Sequence, residues 1–130
     1  VEGAEIRFAN MVFPMPNANE AYRQMSLAGL VPRPLADSIE TEVAWFAVGN
    51  AQFATHPGET APAFTWATRD LMDSEPKFVL GLGLDQLGYI VKTDYFDNTD
   101  QYKFADYLTS MSPGREAGPA MMTALEAIVP

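Results

Sequence analysis

Glu40-Thr41-Glu42-Val43-Ala44-Trp45-Phe46-Ala47-Val48-Gly49-Asn50-Ala51-Gln52-Phe53-Ala54-Thr55 is the stretch that decides the fold. Residues 40–48 alternate and then turn wholly apolar, the pattern of a strand entering a core. Gly49-Asn50 separates this run from residues 51–55 by two positions, which predicts a β-hairpin. Pro57-Gly58 breaks the second strand and leaves His56 and Glu59 in the turn beyond it. A later apolar run, 77–84, is followed by Gln86-Leu87-Gly88-Tyr89-Ile90, so Tyr89 also falls near a strand end. Loops held at the ends of a rigid sheet are where sites are usually built.

Working outward, residues 4–12 alternate like a strand, with Ile6 and Phe8 set against Glu5 and Arg7, and Pro14 and Pro16 predict its end. Asn17 or Asn19 can cap a helix over 18–30, whose loose apolar stripe is Tyr22, Met25, Leu27 and Leu30 and whose end is marked by Gly29. Pro32 and Pro34 make 31–36 an extended connector. A helix is expected over 59–72, with Pro62 in its first turn and Phe64, Ala67 and Leu71, joined by Trp66, facing the core. Residues 89–92 read as a short strand, 93–96 as a loop or single helical turn, and 101–108 as a helix. Ser112-Pro113-Gly114 opens a last helix over 115–129, where Ala117, Met121, Ala124, Leu125 and Ile128 form one stripe. Strands in hairpin pairs with helices between them predict an α/β mixed (α+β) fold, with helices layered on a mixed or antiparallel sheet.

Composition narrows the chemistry. The 130 residues carry a net charge of −9, which argues against nucleic acid and anionic membrane surfaces as partners. No apolar run approaches the roughly 20 residues of a membrane span. Without cysteine there are no disulfides, thiolate nucleophiles or cysteine zinc sites. His56 is the sole histidine, hence the sole candidate for an imidazole general base, and this chain alone cannot build a site with two histidine ligands. The chain opens almost at once into strand-like sequence, which predicts a processed chain and a partner strand along residues 4–12.

Local physics offers structural roles for the same residues. A carboxylate at Glu59, in the first turn of a helix, would offset the dipole by roughly 0.3–1 kcal/mol. Tyr89 reads as a core or cross-strand aromatic. His56 reads as a turn histidine held by hydrogen bonds, or as one that supports a metal ligand. Gly81 and Gly83 lead into a strand and not a helix, so they form no phosphate cradle and instead let backbone pass close to a neighbouring group. Asp94, Asp97 and Asp100 lack the glycine and closing glutamate of a calcium loop and read as a solvated acidic segment.

The order of these segments resembles the C-terminal part of the catalytic region of neutral (non-lysosomal) ceramidases and their bacterial relatives. The resemblance is carried by the hairpin, by Pro57-Gly58-Glu59, by Phe78-Val79-Leu80-Gly81-Leu82, by Gly88-Tyr89-Ile90 and by Ser112-Pro113-Gly114 with Ala117-Gly118-Pro119. It implies a zinc-dependent hydrolase of amide (N-acyl) bonds. Glu59 and Tyr89 would be metal ligands, Tyr89 and His56 would stand at the catalytic centre, and Gly58 and Gly88 would let the two ligand turns close together. Residues 1–130 would then be a single domain or the C-terminal portion of a ceramidase-like catalytic domain. A second polypeptide chain would supply two histidine ligands, the substrate would be an acylamide or lipid-like small molecule, and the location secreted or periplasmic. The competing expectation is a non-catalytic α/β interaction subunit that keeps the scaffold without a working metal site.

Overall fold

A computed structural model describes residues 3–130. The chain begins with β1 (Ile6–Pro16), α1 (Glu20–Leu27), β2 (Ser38–Val48) and β3 (Ala51–Thr55). It continues through β4 (Glu59–Thr60), α2 (Pro62–Leu71), β5 (Lys77–Leu80) and β6 (Tyr89–Ile90), and ends with α3 (Asp94–Asp97), α4 (Ala105–Ser110) and α5 (Ala117–Ile128). Four strands form one sheet in the order β1-β2-β3-β5, antiparallel across its first two pairings and parallel across the last. The fold is therefore α/β mixed, with helices layered on a mixed sheet.

The hairpin forms as its sequence predicts. Val48 pairs with Ala51, and Gly49 takes a φ of +60° at the first of the two turn residues, where a type II′ turn accepts glycine. Alternation then sorts the faces. Val43, Trp45, Ala47 and Ala54 point into the core, while Phe46 and Phe53 point away from it. Two polar groups among the inward side chains satisfy each other. The Trp45 indole donates to Gln52 Oε1 at 2.9 Å, and the fully buried Gln52 amide donates to Asp73 and to Ser74 Oγ.

The helix α5 packs its stripe of Ala117, Met121, Ala124 and Leu125 against β1 and β2. On another side Gly118 lets α2 come close to α5, because a Cβ there would meet the Phe64 ring at 2.2 Å. Three expectations need correction. First, β1 continues through Pro14 and Pro16, since an edge strand directs every second N–H to its free side and prolines two apart can both occupy such positions. Second, Trp66 does not face the core; it is exposed and lies under the Arg69 guanidinium. Third, the helix expected from residue 59 begins only at Pro62, and Glu59 and Thr60 are a strand. No helix among the described residues is long and apolar enough to cross a membrane.

Candidate functional site

Glu59 and Tyr89 lie thirty positions apart in sequence and opposite each other in space. The short strands β4 and β6 pair in parallel, with Glu59 against Tyr89 and Thr60 against Ile90. Backbone bonds zip the two turns together. Leu87 N–H donates to Pro57 O, Glu59 N–H to Gly88 O and Ala61 N–H to Ile90 O, each at 2.9 Å. Glycine is required on both sides of this seam. A Cβ at Gly58 would stand 2.5 Å from Gly88 O, and Gly88 has a φ of +79° with Met111 O 2.2 Å from its notional Cβ. The close approach expected at Gly81 and Gly83 is present at Gly83, whose N–H reaches His56 O and whose notional Cβ would stand 3.0 Å from Leu80 O, but not at Gly81, where the nearest atom to a Cβ is 3.7 Å away.

The segment that carries Tyr89 is pinned from outside. Asp85 accepts from Arg33 Nη1 with both carboxylate oxygens, at 2.7 and 2.8 Å, and from the Thr41 hydroxyl at 2.7 Å. Burial alone would raise the Asp85 carboxyl. The bonds from Arg33, Thr41 and the Gln86 N–H outweigh burial and hold it below the usual carboxylate range. On the other side the buried Tyr22 hydroxyl reaches Met111 O at 2.9 Å and Leu87 O at 3.2 Å, while Tyr89 N–H donates to the same Met111 carbonyl. Sequence reasoning placed Tyr22 only in the apolar stripe of the first helix and gave Asp85 no role, because the partners of both are distant in sequence.

A cleft of about 250 Å³ opens over the seam, lined by Glu59, Thr60, Pro62, Tyr89, Val91, Tyr95 and Leu108. A larger depression of 480 Å³ beside the start of α1 brings no comparable pair of groups together. Glu59 is exposed and forms no ion pair among the described residues. The Tyr89 phenol is held above the ordinary tyrosine range, first by its hydrogen bond with Tyr107 and then by the nearby Glu59 charge. The Tyr89 and Tyr107 rings meet edge to face with centroids 5.7 Å apart. Tyr107, on α4, is a neighbour of the site that sequence reasoning did not single out.

Because β4 precedes α2, Glu59 is not a first-turn carboxylate, and the dipole role expected for it is gone. His56 sits inside the wall of the cleft and not at its surface. It is fully buried, with Nδ1 2.8 Å from the Thr60 hydroxyl and Nε2 2.8 Å from the Thr68 hydroxyl. Burial pushes its pKa down to about 4. Both ring nitrogens are engaged, so as placed the imidazole supports Thr60 and reaches no substrate. This geometry matches the hydrogen-bonded turn histidine and not the general base.

Asp94, Asp97 and Asp100 do not converge on one point. Asp94 accepts from Lys92 and Tyr102, and Asp97 pairs with Arg115. Among the described residues no three His, Cys, Asp or Glu side chains come together as a metal set. Glu59 and Tyr89 are two oxygen donors, half of what a tetrahedral zinc requires. Compared with known proteins, the chain matches no family model, no curated protein and no solved structure.

Proposed function

We propose that this chain is part of a zinc-dependent hydrolase that cleaves amide (N-acyl) bonds, of the ceramidase type its motifs resemble. Glu59 and Tyr89 would be its two oxygen ligands, and a second polypeptide would supply two histidines. The observation that carries the reading is the in-register pairing of Glu59 with Tyr89 across the parallel β4–β6 seam, beside one cleft. Two residues that resemble the family's ligands in sequence are neighbours in space, and Glu59 forms no ion pair among the described residues.

A bound zinc supplies Lewis acidity towards an acyl carbonyl and lowers the pKa of a water towards roughly 7. The chain's own residues do the rest. Tyr107 orients the Tyr89 ring by edge-to-face contact. Thr60, braced by the buried His56, fixes the strand that carries Glu59. Pro62, Val91 and Leu108 give the cleft an apolar wall suited to an acyl group.

The test is a zinc-edge anomalous diffraction map, combined with hydrolysis of an N-acyl substrate panel by the full assembly. An anomalous peak within bonding reach of both side chains is expected, with activity falling at least about 100-fold in Glu59→Gln and in Tyr89→Phe. No peak, or full activity in both variants, refutes the reading. In that case a non-catalytic interaction subunit is favoured by a specific observation, the open apolar face of the main sheet.

A further inference from the structure

The helices that pack on the main sheet meet its inward side; α5 lies on β1 and β2, and α2 meets β5. The outward side carries a phenylalanine row. The rings of Phe46 on β2, Phe53 on β3 and Phe78 on β5 stack with centroids 4.6 and 4.8 Å apart, tilted by only 4° and 15°. Phe8 on β1 stands opposite Phe46 and extends the row to the fourth strand. Phe8 is 65% exposed, Phe78 44% and the flanking Ile6 74%. A contiguous apolar face of this kind marks an interaction site more often than a solvated surface.

The occupant is constrained by shape and by charge. Four strands at the usual spacing span about 14 Å, whereas one helix covers about 10 Å, so a second sheet fits the row better than a helix. Stacked sheets lie about 10 Å apart with strands within roughly 30° of alignment. At the other end of β2 the same outward register holds Glu40 and Glu42. No described lysine or arginine of the four strands joins them. Arg7 points inward over the Trp45 ring, and Lys77 lies on the inward register opposite Gln52. A second copy would therefore set carboxylates against carboxylates, or bury them against the Ile6 and Val48 end of the face.

We propose that the outward sheet face docks a different polypeptide, which lays an apolar β-sheet on the phenylalanine row and sets lysine or arginine against Glu40 and Glu42. This holds whether or not Glu59 and Tyr89 bind metal.

The probe is a backbone-cyclised two-stranded peptide with Val and Phe on one side and two flanking lysines, and its glutamate-for-lysine twin. Binding to the full chain is followed by fluorescence polarisation, and oligomeric state by sedimentation. The chain is expected to be monomeric and to bind the lysine peptide about 10-fold more tightly than its twin. That preference should vanish in Glu40→Gln/Glu42→Gln, and binding should be lost in Phe8→Ser/Phe53→Ser at unchanged circular dichroism. Equal binding of the two peptides overturns the proposal. So does a wild-type dimer that Phe53→Ser dissociates, or a preference for phosphatidylcholine vesicles over the lysine peptide. Zinc content should be the same in all these variants, which separates a failure here from a failure of the metal reading.

Discussion

Lowering the pH from 7.5 to 4.5 should destabilise the chain through His56 alone by about 2.5 kcal/mol. The magnitude follows from burial. The folded imidazole, enclosed between Thr60 and Thr68, titrates at about 4, whereas the exposed ring of the unfolded chain titrates near its ordinary 6.5. The unfolded chain therefore binds more protons throughout the window from pH 6.5 down to 4. The stabilisation is complete above pH 6.5 and is lost progressively as the pH falls through that window. Since His56 is the sole histidine, its Cε1 proton gives one assignable NMR resonance. Urea unfolding, followed by fluorescence of the buried Trp45, measures stability at each pH. A His56→Gln variant cannot titrate there and should lose this part of the pH slope. An NMR pKa near 6.5, or an unchanged slope in His56→Gln, would refute the reasoning.

Two further changes probe the scaffold of the site. Gly88→Ala forces a Cβ against Met111 O and the Tyr22 hydroxyl at a positive φ, so thermal unfolding should show a loss of about 2 kcal/mol or more. An unchanged midpoint would mean that the seam is looser than described. Tyr22→Phe takes the hydroxyl from the Leu87 carbonyl, while Met111 O keeps the Tyr89 N–H, and should cost about 1–3 kcal/mol by chemical denaturation; an unchanged midpoint would refute this role for the hydroxyl.

The hairpin and the last helix were legible in the sequence because local rules determine them. The two-residue break at Gly49-Asn50 sets the register of β2 on β3, and the 117-121-124-125 spacing sets the face of α5. The prolines of β1 were misread for a non-local reason. Whether a strand tolerates proline depends on whether its outer side is paired, which only the sheet order reveals. Trp66 and the start of α2 were misread for a related one, since apolar spacing cannot show which flank of a helix the core covers, nor that a neighbouring turn draws Glu59 and Thr60 into strand pairing.

For the candidate site, the residue types and the enabling glycines were visible in the chain, in Pro57-Gly58-Glu59 and Gly88-Tyr89-Ile90. What joins them is non-local. The seam exists because the Pro57 and Gly88 carbonyls find their donors in the opposite turn, because Asp85 holds the loop to Arg33 and Thr41, and because Met111 receives both Tyr22 and Tyr89. The same distinction decides His56. Sequence determined that there would be one imidazole beside the glutamate turn, and tertiary packing closed Thr60 and Thr68 over both of its nitrogens, because a buried polar ring must find its partners within the fold.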